Sequence, residues 1–294
     1  GEGAQERALM ASFALLWDLP ALKERARWNR FASLRDPSVW DAYLLHTCEL
    51  ADENLARLDL TQELERAIQL RDQSHYSRYL ADLGCSFAFD YQMQLVTSTY
   101  PGWRVLLYHD IAHGLTKEGS VDGAPHIERN PIPLLPRAIS ELGGRYYQAD
   151  LHPETFIGDA NFVDHPHRGM TTGQTGVIGS GCHLLPCTLG GLSTKVQRRH
   201  PRLGDNVFVG TDAGLFGPVE IGDNSVIGPN AEMRGLVKLG KGCRIGSSVV
   251  IATVKSGDRL PGMVCLGSDV TIGDGTIVEN YTELDLVIPE KGQI

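Results

Sequence analysis

Apolar residues recur at every sixth position through one stretch of the chain: Leu203, Val209, Leu215, Ile221, Ile227, Met233, Leu239, Ile245 and Ile251. With a hydrophobic fraction of 42%, such an unbroken run from a fixed start has a chance below roughly one in a thousand. A helix sets a period near 3.6 and a flat strand a period of 2, so six suits neither. It suits a coil that turns three corners, each side being a short strand with one side chain directed inward, stacked on copies of itself. Pairs of an aliphatic residue and glycine follow the same ladder, among them Ile157-Gly158, Ile178-Gly179, Val209-Gly210, Ile227-Gly228 and Ile245-Gly246. The aliphatic member fills the interior, and glycine at the corner permits positive φ or close backbone approach. Residues 150–288 then make roughly seven to eight coils, a stack about 35 Å tall.

The chain before residue 145 is patterned differently. PALKERARWNRFASL, DAYLLHTCELADENLARL and TQELERAIQLRDQSHYSRYLADL carry helical periodicity with charged surfaces. The turn Tyr100-Pro101-Gly102 leads into a helical WRVLLYHDIAHGL, and PLLPRAISELGGR reads as a short helix stopped by Gly143-Gly144. The fold class expected is α+β: an α-helical domain over 1–145, a parallel β-helix over 146–288 and a tail over 289–294. Two interruptions stand out. TLGGLSTKVQRRHP, between Leu184 and Leu203, reads as a loop thrown out of the coil, and ATVKSGDRLPGMV as a small bulge or altered corner.

Composition narrows the functional classes. A net charge of −9 argues against nucleic-acid or anionic-membrane partners. No run of apolar residues is long enough to span a membrane, and the first ten residues do not read as a signal peptide. The six cysteines form no CxxC pair and read as reduced thiols of a cytoplasmic protein.

Chemistry is sought where a repeat fails, because insertions gather on one functional face. The breaks hold Asp150-Leu151-His152-Pro153, Asp164-His165-Pro166-His167-Arg168-Gly169, Thr188-Leu189-Gly190-Gly191 and Arg199-His200-Pro201. In these four segments the chain resembles the serine O-acetyltransferases, which carry D-[IL]-H-P, D-H-x-x-G, T-L-G-G and R-H-P in this order. The step from Asp150 to Asp164 and the seven residues between Gly191 and Arg199 match the commonest bacterial form. The resemblance extends upstream through YPGWRVLLYHDIAHGL and IPLLPRAISEL, and covers residues 97–250 well and 15–95 loosely.

The resemblance implies a left-handed β-helix of hexapeptide repeats and acetyl-CoA-dependent acetylation of the L-serine hydroxyl, giving O-acetylserine on the way to cysteine. His165 is then the general base, and Asp150 holds its other ring nitrogen as the acid of a triad does. Arg199 offers a planar fork to the acceptor carboxylate, Asp164 faces its ammonium, and His200 completes the pocket. Acetyl-CoA, as co-substrate, is expected along Gly190, Gly191, Gly210, Thr211, Gly228 and Pro229, with no metal. A homotrimer or dimer of trimers follows by resemblance, as does docking of a cysteine synthase (O-acetylserine sulfhydrylase) on the C-terminal Ile294. His152 and His167 read as structural, and His109 and His113 as helix-face packing.

Three departures bear on the acceptor. Phe87 stands where the family has an aspartate on the amine side, with Asp90 three residues later as the candidate substrate-binding acid. The D-H-x-x-G segment is one residue longer, with Gly173-Gln174-Thr175 in place of G-E-T, and the loop LSTKVQR lacks the glycines common there. A different amino-acid or amine acceptor therefore stays open. So do a zinc-dependent β-helix lyase using His165, His167 and His183, and a non-catalytic docking partner.

Overall fold

A computed structural model describes residues 100–118, 134–193, 198–255 and 260–294. The chain divides into two units, Gly1–Leu142 and Gly143–Ile294. Two helices are described. α1 is Pro101–Glu118, with proline at the first helical position, where its missing N–H costs nothing. α2 is Leu134–Tyr147. It runs through Gly143-Gly144 rather than stopping there. It ends at Gln148, whose φ is 55° and whose N–H closes the last turn on the Gly144 carbonyl at 2.8 Å. The left-handed residue, not the glycine pair, terminates this helix. The helices expected over 15–95 lie outside the described residues.

From Ala149 onward the chain is a three-sided parallel β-solenoid. Its three sheets have seven, seven and six strands, so six complete coils and part of a seventh stand where seven to eight are expected. Each strand is two to four residues long and pairs with the strand one coil away. In the regular part the partners are one coil of three hexads apart: Leu203, Ile221 and Leu239 on the second sheet, Val209, Ile227 and Ile245 on the third, and Leu215, Met233 and Ile251 on the first. All nine ladder residues are at most 3% exposed. Each removes a full aliphatic side chain from water, of the order of 1.5–3 kcal/mol apiece.

The corners obey a finer rule. The glycine after the inward residue is absent from the positive-φ positions; its lack of a Cβ serves stacking. A methyl on Gly222 would stand 2.5 Å from the Gly240 carbonyl carbon, and one on Gly228 2.6 Å from that of Gly246. The left-handed residue comes two positions later and is commonly Asn or Asp: Asn206, Asp212, Asn224, Asn230 and Asp269, each with φ between 55° and 60°. Of the two reasons expected for the glycine, close approach holds here and positive φ belongs to its neighbour.

The first break is shorter than the sequence suggests and the second is larger. Thr188–Gly190 is a regular strand paired with Gly214–Phe216, so the thrown-out loop begins only after it. Leu239 pairs with Leu266, nine residues beyond the regular step, so this interruption is a nine-residue excursion rather than a small bulge. The last residues add a further rung. Gly273 N–H donates to the Ile294 carbonyl at 2.7 Å, and Ile294 N–H to the Thr271 carbonyl at 3.1 Å.

Candidate active site

The site starts at a corner that lacks its glycine. On the third sheet Val163 pairs with Leu184 and Phe162 with His183. The residues after these inward positions are Asp164 and Leu185, where other coils have glycine. His165 takes the left-handed conformation (φ 51°, ψ 45°) and opens a single 3-10 turn over Pro166–Arg168, closed at Gly169. Proline at the start of that turn holds the chain away from the regular coil path. The His165 imidazole is 61% exposed, with Nε2 3.3 Å from Asp164 Oδ1. The ring of His167 stands edge-on to it at 5.7 Å.

Asp164 faces a second histidine, its Oδ2 lying 3.7 Å from His183 Nε2. Burial alone would raise its pKa, but His183 and His165 together outweigh burial and hold the carboxyl below the ordinary value. Asp150 ends the strand Ala149–Asp150, in register with Thr171, and that strand lies against the 3-10 turn. His165 and Asp150 thus sit on neighbouring elements. His152 is structural: its Nδ1 accepts the Glu154 N–H at 3.1 Å, and its own N–H reaches Thr172 Oγ1 at 3.0 Å.

A cleft of about 370 Å³ opens where the 3-10 turn ends, running from Gly169 and Pro186 past Thr188, Asp212 and Asn230 to Glu232. Thr188, Gly214 and Glu232 continue the register column of the first sheet that begins with Asp150 and Thr171. Thr211 and Pro229, named from the sequence, immediately precede the lining residues Asp212 and Asn230. Thr211 Oγ1 is buried without a hydrogen-bond partner. The glycines named with them have reasons inside the coil. Gly210 and Gly228 pack on the next coil, Gly190 makes room for the Phe216 ring, and Gly191 for His200.

Arg199 and His200 lie at the opposite edge of the first sheet, on the way into Arg202–Leu203 of the second. Arg199 Nη2 donates to Gln174 Oε1 at 2.8 Å. His200 is buried, with Nδ1 2.9 Å from Thr175 Oγ1 and accepting the Thr175 N–H at 3.3 Å. A side chain on Gly173 would overlap its ring. Burial first, then the Arg199 charge, push its pKa down to about 4. The structure therefore brings Asp164, His165 and Asp150 to one corner and Arg199 and His200 to another. Asp90 and Phe87 lie outside the described residues.

Gln174, Thr175 and His183 face these groups, although the sequence marked the first two only as a departure and His183 only as a possible zinc ligand. The first two occupy the altered G-E-T segment. The contact of His183 with Asp164 shows itself only when the strands are in register. Among the described residues no group of three or more His, Cys, Asp and Glu stands together as a metal site requires. His109 and His113 stack in α1 at 5.6 Å.

Two family models match. Residues 200–235 fit the bacterial transferase hexapeptide (six repeats) and residues 218–253 the hexapeptide repeat of succinyl-transferase. Over 123 residues, 42% of this chain, it is 33% identical to a serine acetyltransferase of Synechococcus elongatus and 35% identical to one of Mycobacterium tuberculosis. Those stretches are 45% and 48% of the relatives, so the chain spans about half the length of the curated relatives it matches. Solved structures that overlay include a Neisseria gonorrhoeae serine acetyltransferase in complex with serine, at TM-score 0.47 and 20% identity over 85% of this chain and 79% of that one. Another is a Brucella abortus serine acetyltransferase in complex with coenzyme A, at TM-score 0.45 and 22% identity over 72% of each chain. Over residues 200–253, then, the chain matches models of hexapeptide-repeat transferases, and over 123 residues it is similar in sequence to serine acetyltransferases.

Proposed function

We propose that this chain transfers the acetyl group of acetyl-CoA to the hydroxyl of L-serine. The observation that carries this reading is the Asp164 and His165 pair at the glycine-less corner, followed by a 3-10 turn whose closing residue, Gly169, lines the cleft. The relatedness to serine acetyltransferases supplies the substrates.

In this reading His165 removes the hydroxyl proton as that oxygen bonds to the thioester carbonyl carbon. The carbon–sulfur bond breaks, and His165 returns the proton to the departing CoA sulfur. Asp150 orients the imidazole and stabilises its cationic form. Arg199 takes the acceptor carboxylate and Asp164 its ammonium, with Asp90 and His200 completing the acceptor side. The buried Thr211 hydroxyl and the cleft lining from Thr188 to Glu232 would hold acetyl-CoA. Positioning two substrates in attack geometry supplies much of the rate.

The same reading assigns 1–145 to a helical assembly domain and 146–288 to catalysis, in a homotrimer or a dimer of trimers. It places the protein in the cytoplasm, consistent with the free thiols of Cys182, Cys187, Cys243 and Cys265. Docking of a cysteine synthase on Ile294 belongs to it too, and would require the last rung to release Thr271 and Gly273.

The test is thiol release from acetyl-CoA with serine, homoserine and simple amines. Serine turnover that falls by about 10²–10⁴ in His165→Ala is the expected result. Turnover of another acceptor but not of serine would keep the chemistry and replace the substrate. Full activity in His165→Ala would overturn the assignment.

A further inference from the structure

We infer that His183 is a positioning residue that holds Asp164 in place for the acceptor, an inference that rests on the acetyl-transfer reading above. Phe162, His183 and Phe208 occupy one register column on the third sheet, next to the inward column of Val163, Leu184 and Val209. The His183 ring stands edge-to-face with Phe162 at 5.1 Å and with Phe208 at 5.1 Å. Two aromatic neighbours on consecutive rungs fix the plane of the imidazole. They also direct its Nε2 at one target, the Asp164 carboxylate 3.7 Å away.

That separation is too long for a hydrogen bond, and Nε2 is buried with no hydrogen-bond partner. A buried ring N–H left unpaired is costly, and hydrogen bonds of this kind tighten when substrate is bound. Asp164 can close the gap while keeping its other oxygen toward His165, since its two oxygens already face the two rings separately. With Nε2–H donating to Oδ2, the carboxylate is ionised and oriented, and Oδ1 is presented to the reacting corner. His183 touches no reacting atom; it acts through Asp164 on the binding of the acceptor ammonium.

The experiment compares His183→Phe, which preserves the aromatic column but removes the N–H, with His183→Gln, which restores a donor. KM for serine, KM for acetyl-CoA and kcat are measured for each. Titration of the Asp164 carboxyl is followed by ¹³C NMR in the unliganded protein. In the Phe variant the serine KM rises on the order of 10- to 100-fold, as for loss of a hydrogen bond to a charged group. The acetyl-CoA KM stays unchanged, and the carboxyl titrates at higher pH than in the wild type. The Gln variant recovers most of the loss. Should the Phe variant fail to fold, His183→Leu, which suits a solenoid rung, takes the same readouts. An unchanged serine KM together with an unchanged Asp164 titration overturns the inference, as does a Gln variant no better than Phe. If the wild type acetylates no acceptor, the proposed function fails, and the NMR titration alone decides the role of His183.

Discussion

Thr175 shows how one hydroxyl organises a corner. Its Oγ1 accepts the backbone N–H groups of Arg199 at 3.0 Å and His200 at 3.2 Å. It also lies 2.9 Å from His200 Nδ1 and is free to donate its own proton there. Because Nδ1 also accepts the Thr175 N–H, the neutral ring carries its proton on Nε2, toward Gly191. Protonating Nδ1 would evict these donors and place a cation beside Arg199 in a buried position. This agrees with a pKa lowered from the ordinary 6.5 to about 4. The unfolded chain takes up the proton near pH 6.5 and the folded chain only near pH 4, so within that window the unfolded state binds more protons. Stability is then full above pH 6.5 and declines as pH falls toward 4, by at most roughly 3 kcal/mol from this group. Urea unfolding of wild type and His200→Gln at pH 7 and pH 4.5 measures it. The wild type should lose more stability across the interval, and equal losses would remove His200 as the cause.

At the scale of the hexad, two small residues do different work, and substitutions separate them. Gly222→Ala drives a methyl into the backbone of the next coil, an overpacking that costs about 1–3 kcal/mol. Asn224, exposed and left-handed at φ 60°, accepts glycine at little cost, whereas Asn224→Val should cost about 1–2 kcal/mol through its conformation. Thermal or denaturant midpoints of the three variants check the order, and a silent Gly222→Ala would contradict close stacking as the reason for the glycine. The ladder and its glycines were readable because each inward position needs an apolar side chain and each stacked corner needs a bare backbone. What lay beyond reading was register. Three, seven and nine extra residues separate successive coils at the breaks, and no periodicity survives an insertion of unknown length. Thr188–Gly190 was therefore read as loop although it is a rung, and the column of Phe162, His183 and Phe208 stayed hidden. Asp164 and His165 were legible from their motif, but that they occupy a corner where glycine is missing required the coils to be aligned.

Across the whole solenoid, the residues assigned to one reaction stand at opposite edges of the first sheet. Asp164 and His165 precede its strand Met170–Thr171, while Arg199 and His200 follow its strand Thr188–Gly190. In the reading proposed above, one acceptor bonds both Arg199 and Asp164. It can be held where one copy's leading edge meets another copy's trailing edge, as closed cyclic symmetry allows. The prediction is intersubunit complementation. His165→Ala and Arg199→Ala are each inactive alone, but assembled together from equal amounts of chain they form sites in which an intact His165 meets an intact Arg199. Purification through both tags keeps only mixed trimers, each with one complete site in three, so activity should return to about a third of wild type. Co-expression with differently tagged chains, purification through both tags and the thiol-release assay give the value. A mixed assembly no more active than its parents would place both residues in a site within one chain, and would require the Arg199 loop to swing across the sheet rather than meet a neighbour.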